Sequence, residues 1–142
     1  TIYIDKKSIF IYENLDKAYF KKVDPGKKMK IDNFIFSWNF YKKAINFDSN
    51  SKVEFIDASK LKGNLVIRSI RDDDSFLPLG IKWHKKVIKF LKYKNLSLIN
   101  RKKSLVVCND SEIIWVAGYQ LSEKYKIRET SKKIVKLNFF RN

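Results

Sequence analysis

Apolar residues along this chain come in short alternating runs, a spacing that suits pleated strands and leaves little room for long helices. Residues 2–5 and 8–12 alternate on either side of Asp5-Lys6-Lys7 and read as a hairpin. A third strand is expected over 18–23. It is stopped by Asp24-Pro25-Gly26, where proline presets one dihedral and glycine tolerates the next. The stretch 29–41 alternates in part through Ile31, Phe34, Phe36, Trp38 and Phe40, which predicts one or two longer strands with one buried face. Residues 46–51 read as loop, 52–56 as strand, 57–62 as a connection and 64–68 as strand. Further strands are expected over 104–108 and 112–117, joined by the turn Asn109-Asp110-Ser111, and a closing strand over 133–139. Ile, Phe, Tyr and Val dominate the apolar set, and with 4 Gly and 2 Pro the turns fall to Asn, Asp, Ser and Lys. A chain of 142 residues has room for one cored domain or two small lobes sharing a core. The division expected is a β-rich lobe over 1–60 and a second unit over 61–142.

One segment departs from the strand pattern. Trp83, Val87, Phe90, Leu91 and Lys94 recur at helical spacing while Lys85, Lys86, Lys89 and Lys92 fill the remaining arc, which predicts an amphipathic helix of about ten residues with a basic outer face. No acidic residue occurs over 81–109. Like charges three and four residues apart weaken a helix, so a polyanionic partner explains them better than solubility does. The charge is also lopsided. Residues 1–75 carry 15 basic and 11 acidic side chains, a difference of +4, and residues 76–142 carry 16 and 4, a difference of +12, which together return the net +16. An excess of this kind draws in polyanions. Arg101, Lys102 and Lys103 form a second basic cluster, expected at the start of a strand.

Residue types that do chemistry are scarce. His84 is the single histidine and Cys108 the single cysteine, so neither a zinc site nor an intrachain disulfide can be assembled, and a reducing cytoplasm is the expected setting. Cys108 follows Leu105-Val106-Val107 and reads as a buried strand thiol. No G-x-S-x-G elbow, Walker loop or dinucleotide fingerprint occurs. Asp72, Asp73 and Asp74 could in principle hold Mg²⁺, but three adjacent side chains rarely converge, and pairing with Arg68, Arg71 or nearby lysines is the better expectation. No run of about 18 apolar residues is present, so no membrane helix is expected. The chain starts at Thr1, and its one methionine is Met29, which suggests a piece of a longer protein.

The ordered series Arg68, Arg71, Asp74, Phe76, Pro78, Leu79, Gly80, Lys85, Lys86, Phe90, Arg101, Trp115, Val116 and Gly118 resembles the C-terminal domain of tRNA(Ile)-lysidine synthetases. That family reads approximately R-x-x-R-x-G-D-R-F-x-P-L-G-M-x-G-x-K-K-L-S-D-F-F, then an arginine, then I-x-W-V-x-G. The resemblance covers about residues 52–140 well and the first fifty loosely. Asp73 stands where the family has Gly, Ser75 where it has Arg, Trp83 where it has a second Gly, and Ile88-Lys89 where it has Ser-Asp. The loop between these positions therefore takes another path, since only glycine adopts positive φ at little cost.

The resemblance implies an α+β, mostly β fold: a β-sandwich-like or partly open barrel related to a domain of phenylalanyl-tRNA synthetase, with the basic helix on one side. It implies a non-catalytic tRNA-recognition domain of a ligase that attaches lysine to the wobble cytidine of tRNA(Ile). ATP and Mg²⁺ would belong to the parent's catalytic domain, whose S-G-G-x-D-S loop does not occur here. Arg68, Arg71, Lys82, Lys85, Lys86, Lys89, Lys92, Arg101 and Lys102 are the expected tRNA contacts, with the acceptor stem as their target. Arg68 and Arg71 could equally pair with the aspartates. Asp74, Phe76, Pro78, Leu79, Gly80, Trp115 and Gly118 are expected to be structural, and Trp83 partly exposed. Partners expected are tRNA and the protein's own N-terminal catalytic domain, with no membrane; homodimerisation is left open. The alternatives are a module that docks onto that catalytic domain, its charge serving solubility, and a generic binder of polyanions or membrane surfaces.

Overall fold

Alternation in the sequence becomes pairing in space. In a computed structural model the chain is described over residues 2–5, 8–11, 17–42 and 52–141, the first two segments by backbone alone. β1 (Ile2–Asp5) and β2 (Ser8–Ile11) form an antiparallel hairpin in which Asp5 lies opposite Ser8. β3 (Phe20–Val23) ends at the Asp24-Pro25-Gly26 turn, where Gly26 has φ 83°. The stretch 29–41 divides into β4 (Lys28–Ile31) and β5 (Phe34–Tyr41) around Asp32-Asn33, with Asp32 at φ 51°. β6 (Val53–Asp57) and β7 (Leu65–Ser69) follow as expected. The loop expected over 46–51 lies outside the described residues.

Next come β8 (Ser75–Phe76), β9 (Lys85–Lys86), α1 (Val87–Tyr93) and α2 (Leu98–Lys102). β10 (Leu105–Asn109), β11 (Glu112–Val116), β12 (Gln120–Leu121), a 3-10 turn (Glu123–Tyr125) and β13 (Ile134–Arg141) complete the order.

Two antiparallel sheets carry the fold, one ordered β12-β11-β10-β7-β3 and the other β4-β5-β13-β6. Their facing sides share one buried cluster, in which Val23, Ile67, Val107 and Trp115 meet Phe36, Trp38, Ile56 and Leu137. Each such side chain contributes about 1.5–3 kcal/mol by leaving water. The Trp38 indole donates to the Val23 carbonyl at 2.7 Å, a hydrogen bond between the sheets. The result is a β-sandwich. Its strands cross the expected division at residue 60: β3 pairs with β7, β13 sits between β5 and β6, and the shared cluster draws on both sides.

The five-stranded sheet is covered on its other face as well. Val106, Cys108, Ile113 and Val116 meet Phe76, Val87, Phe90 and Leu91 there. A bulge explains how β11 serves both faces: Val107 lies opposite Trp115 and Cys108 opposite Ile113, so Ile114 is the extra residue. Ile114 and Trp115 both join the sandwich cluster, while Ile113 and Val116 join the outer one. Burial on both sides is why β10 reads as an unbroken apolar run.

The helical segment differs from expectation. α1 has 7 residues and begins at Val87, and the two residues before it form β9, where Lys85 pairs with Phe76 and Lys86 with Ser75. Lys86 is extended, with φ −67° and ψ 134°, and the Val87 N–H donates to the Asp74 carbonyl at 2.9 Å. That bond holds the chain as strand up to the first turn of the helix. A second helix, α2, stands where none was expected, and puts Arg101 and Lys102 on a helix and not at the start of a strand. Its N-cap is Ser97, whose hydroxyl accepts the Asn100 N–H at 3.2 Å.

Candidate nucleic-acid interface

The outer layer is pinned to the sandwich by Asp74. Arg68, at the end of β7, is 6% exposed and points to the outer face. Its guanidinium donates through Nη1 and Nη2 to the two Asp74 carboxylate oxygens, each at 2.8 Å. The Arg71 N–H adds a third hydrogen bond to Asp74 at 2.7 Å, and the Asp74 N–H returns one to the Arg71 carbonyl at 3.1 Å. Burial alone pushes the Asp74 carboxyl up, but the Arg68 guanidinium and the Arg71 N–H outweigh it and hold the group below its ordinary value. The same hydrogen bond raises Arg68 further. Asp74 therefore ties together β7, the 71–74 turn and the start of α1.

This geometry sorts the expected contacts. Arg68 has its charge and donors engaged inside the protein, so of its two readings the pairing with Asp74 is realised, and it leaves the surface set. Arg71 is exposed. Asp72 and Asp73 are exposed while Asp74 is buried, so the three carboxylates do not converge. Lys82, Lys86, Lys89, Lys92 and Lys102 are exposed, and Lys85 and Arg101 half-buried.

The lysines are positioned by what lies beneath them. α1 buries Val87, Phe90 and Leu91, which turns Lys89 and Lys92 outward. Phe90 packs edge-on to Phe76 with ring centroids 5.3 Å apart, anchoring the helix over the β8–β9 hairpin. Lys85 and Lys86 reach the same layer from β9, where successive side chains point to opposite sides. Lys85 Nζ lies 5.6 Å from the Tyr93 ring, and Lys89 is one helical turn before Tyr93, so these three group together. α2 touches α1 and extends the layer to Arg101 and Lys102. Two aromatics stand exposed among these cations: Trp83 at 62% and Tyr93 at 84%. Tyr93 was not singled out from sequence, although its lysine neighbours on both sides, Lys92 and Lys94, are the signal that marks it. Nothing in the first turn of either helix is acidic.

No family model matches the chain. A tRNA(Ile)-lysidine synthase of Clostridioides difficile is 34% identical over 137 residues, which are 96% of this chain and 28% of that protein. Those of Caldanaerobacter subterraneus subsp. tengcongensis and Clostridium tetani are 32% and 36% identical, over 66% and 60% of this chain and 20% and 18% of theirs. A solved TILS C-terminal domain shares the fold at a TM-score of 0.79 and 16% identity, over 88% of this chain and 98% of that one. The chain is a tRNA(Ile)-lysidine synthase-type C-terminal domain. It spans between 18% and 28% of the length of these three synthases.

In this lysidine-synthase-type domain the motif residues that do not face solvent have structural explanations. Pro78-Leu79-Gly80-Ile81 is a tight turn closed by the Ile81 N–H on the Pro78 carbonyl at 3.0 Å, with Gly80 at φ 81°. Val116-Ala117-Gly118-Tyr119 repeats it, closed at 2.8 Å with Gly118 at φ 80°. A glycine with positive φ at the third position is the requirement of a type II turn. The first turn docks on the second region: Leu79 N–H donates to the Leu121 carbonyl at 3.0 Å and Glu123 N–H to the Leu77 carbonyl at 2.8 Å. Phe76 and Pro78 are buried, Trp115 is fully buried, and Leu79 is exposed. Trp83 stands where the family has glycine. His84 beside it is exposed.

Proposed function

We propose that this domain recognises tRNA(Ile) for a lysidine-forming ligase, gripping the acceptor stem while the chemistry takes place on a catalytic domain of the same protein. One observation carries the reading. Lys82, Lys86, Lys89 and Lys92 are exposed, as are Trp83 and Tyr93, in a segment whose sequence holds no acidic residue over 81–109. Duplex RNA offers phosphates and 2′-hydroxyls across a shallow groove, and a rigid lysine face fits that shape without reading bases. The relatives are synthases several times longer than this chain, which supports a division of labour in which ATP and Mg²⁺ are handled outside it. Such an enzyme works in the cytoplasm. A membrane-surface role is the weaker reading, because α1 commits Val87, Phe90 and Leu91 to the sheet beneath it.

The test is the affinity of the chain for tRNA(Ile), an unrelated tRNA and duplex DNA across a salt series. Tightest binding to tRNA(Ile) is expected, with a steep salt slope. Replacing Lys85, Lys86, Lys89 and Lys92 by Ala should weaken it by about tenfold or more and flatten the slope by about three units. Equal, weak binding to all three nucleic acids, unaffected by the substitutions, would sink the proposal.

A further inference from the structure

A cleft of about 380 Å³ opens between the β4–β5 turn, Lys52 ahead of β6, the C-terminal end of α2, the β11–β12 turn and the end of β13. Its volume lies in the range of about 300–1,000 Å³ typical of small-ligand sites. Two kinds of surface line it. The first is aromatic: Phe34, stacked on Phe139 with centroids 4.5 Å apart and planes 19° from parallel, and Tyr119 on the rim. The second is polar: Arg141, whose guanidinium carbon lies 5.9 Å from the Phe34 ring centroid, together with Asp32 and Asn100.

The backbone makes these positions stiff. Tyr119 follows Gly118 in a closed turn, and Asp32 sits at positive φ in the two-residue loop between paired strands. Burial pushes the Tyr119 hydroxyl up and Arg141 pulls it back, so the ring and the cation share one environment. The exposed Tyr119 ring can accept a flat heterocycle by stacking, an arginine accepts a phosphate, and a carboxylate with an amide can bind exocyclic amines and sugar hydroxyls. The ligand class that offers all three is a nucleotide.

Asn100 belongs to α2, the helix that also carries Arg101 and Lys102 on the basic layer. We infer that this cleft takes an unpaired nucleotide of the same RNA whose stem lies on the lysine face, an inference that rests on the RNA-recognition reading above. The two sites then divide the labour. The lysines hold phosphates of paired RNA regardless of sequence, and the cleft detects where pairing stops.

The experiment compares a short blunt RNA stem with the same stem bearing unpaired nucleotides on one strand or the other, against the whole chain and against Tyr119→Ala and Arg141→Gln. Both positions are exposed, so both variants are expected to melt like the wild type. An extended stem should bind wild type about tenfold tighter than the blunt one, the worth of one stacked base, and each variant should lose that advantage while keeping its affinity for the blunt stem. Equal binding of blunt and extended stems would overturn the cleft assignment and leave the lysine face standing. An extension advantage that survives both substitutions would overturn it too. Failure of wild type to bind either stem would instead bring down the RNA reading beneath it. Free adenosine monophosphate should bind at least about a hundredfold more weakly than the extended stem; equal affinity would make the occupant a free nucleotide and overturn its assignment to RNA.

Discussion

The five-stranded sheet is buried on both faces, and the two faces are closed in different ways. On one side a second sheet lies against it, and the contact is almost wholly apolar around Phe36, Trp38, Trp115 and Leu137. On the other side lie a two-residue-per-strand hairpin and helices of 7 and 5 residues, elements too short to be stable by themselves. They are held by a smaller apolar cluster and by the buried Arg68–Asp74 pair. The sandwich relies on area, the outer layer on a pin. The layer that carries the surface charge is therefore the one held by the smaller apolar cluster and by one buried ion pair.

The largest effect should come from removing the pin. Asp74→Ala leaves Arg68 buried without a counter-charge and should cost about 3–5 kcal/mol in urea unfolding, or prevent folding at 37 °C. Because Asp74 titrates below its ordinary 3.8 in the folded state, its contribution is complete above that pH and disappears on acidification through the folded value. A cost under about 1 kcal/mol would show that the layer stays attached without the pin. Next in size is Phe90→Ala, expected to cost about 3 kcal/mol by emptying the space between Phe76 and the helix. Leu137→Ala in the sandwich should cost a similar amount, and hydrogen exchange tells them apart. Phe90→Ala should open α1 ahead of the sheets, whereas Leu137→Ala should open both sheets together; identical exchange patterns would erase the distinction between the layers.

A smaller effect belongs to the sandwich side. Glu54 shares the strand face of Ile56, and burial pushes its carboxyl from 4.5 up to about 7. The folded chain keeps a proton that the unfolded chain releases between those values, so this group lowers stability as pH rises through that window. Glu54→Gln should remove the decline. Its Tm advantage over wild type should grow from pH 4.5 to about 7 and then level off; a difference that does not vary with pH would count against the raised carboxyl. Smallest of all is the stability change from replacing Lys86, Lys89 and Lys92 by Ala, expected within about 0.5 kcal/mol, because these side chains are exposed. A larger loss would mean that the charged face is part of the attachment after all.

Sequence period carried the sandwich well. Phe36 and Trp38 face inward and Ser37 and Asn39 outward, as alternation requires, and the Asp24-Pro25-Gly26 and Asn109-Asp110-Ser111 turns fall where turn chemistry puts them. The outer layer was harder to read, for local reasons. Trp83 and Val87 are four residues apart and imitate a helical face, yet the bond from the Val87 N–H to the distant Asp74 carbonyl sets the true start. Five residues are too few for α2 to show a period, and Ser97 three positions ahead of Asn100 was its only sign. Arg68 and Arg71 look alike in sequence; only the fold shows that one is buried and the other exposed. The cleft draws on residues from five distant segments, and no local pattern brings Asp32, Asn100, Tyr119 and Arg141 together.

β13 lies inside its sheet, bonded to β5 on one side and β6 on the other, while β5 and β6 share no ladder of their own. During synthesis the facing edges of β5 and β6 therefore leave the ribosome unpaired, and they stay open until residues 134–141 arrive to fill the gap. Closing so long a span is slow, and unpaired apolar strands are prone to join their counterparts on other chains in the meantime. Lys28 and Lys30 lie on β4, the outer neighbour of the waiting β5, and mutual repulsion between nascent chains is the protection they give.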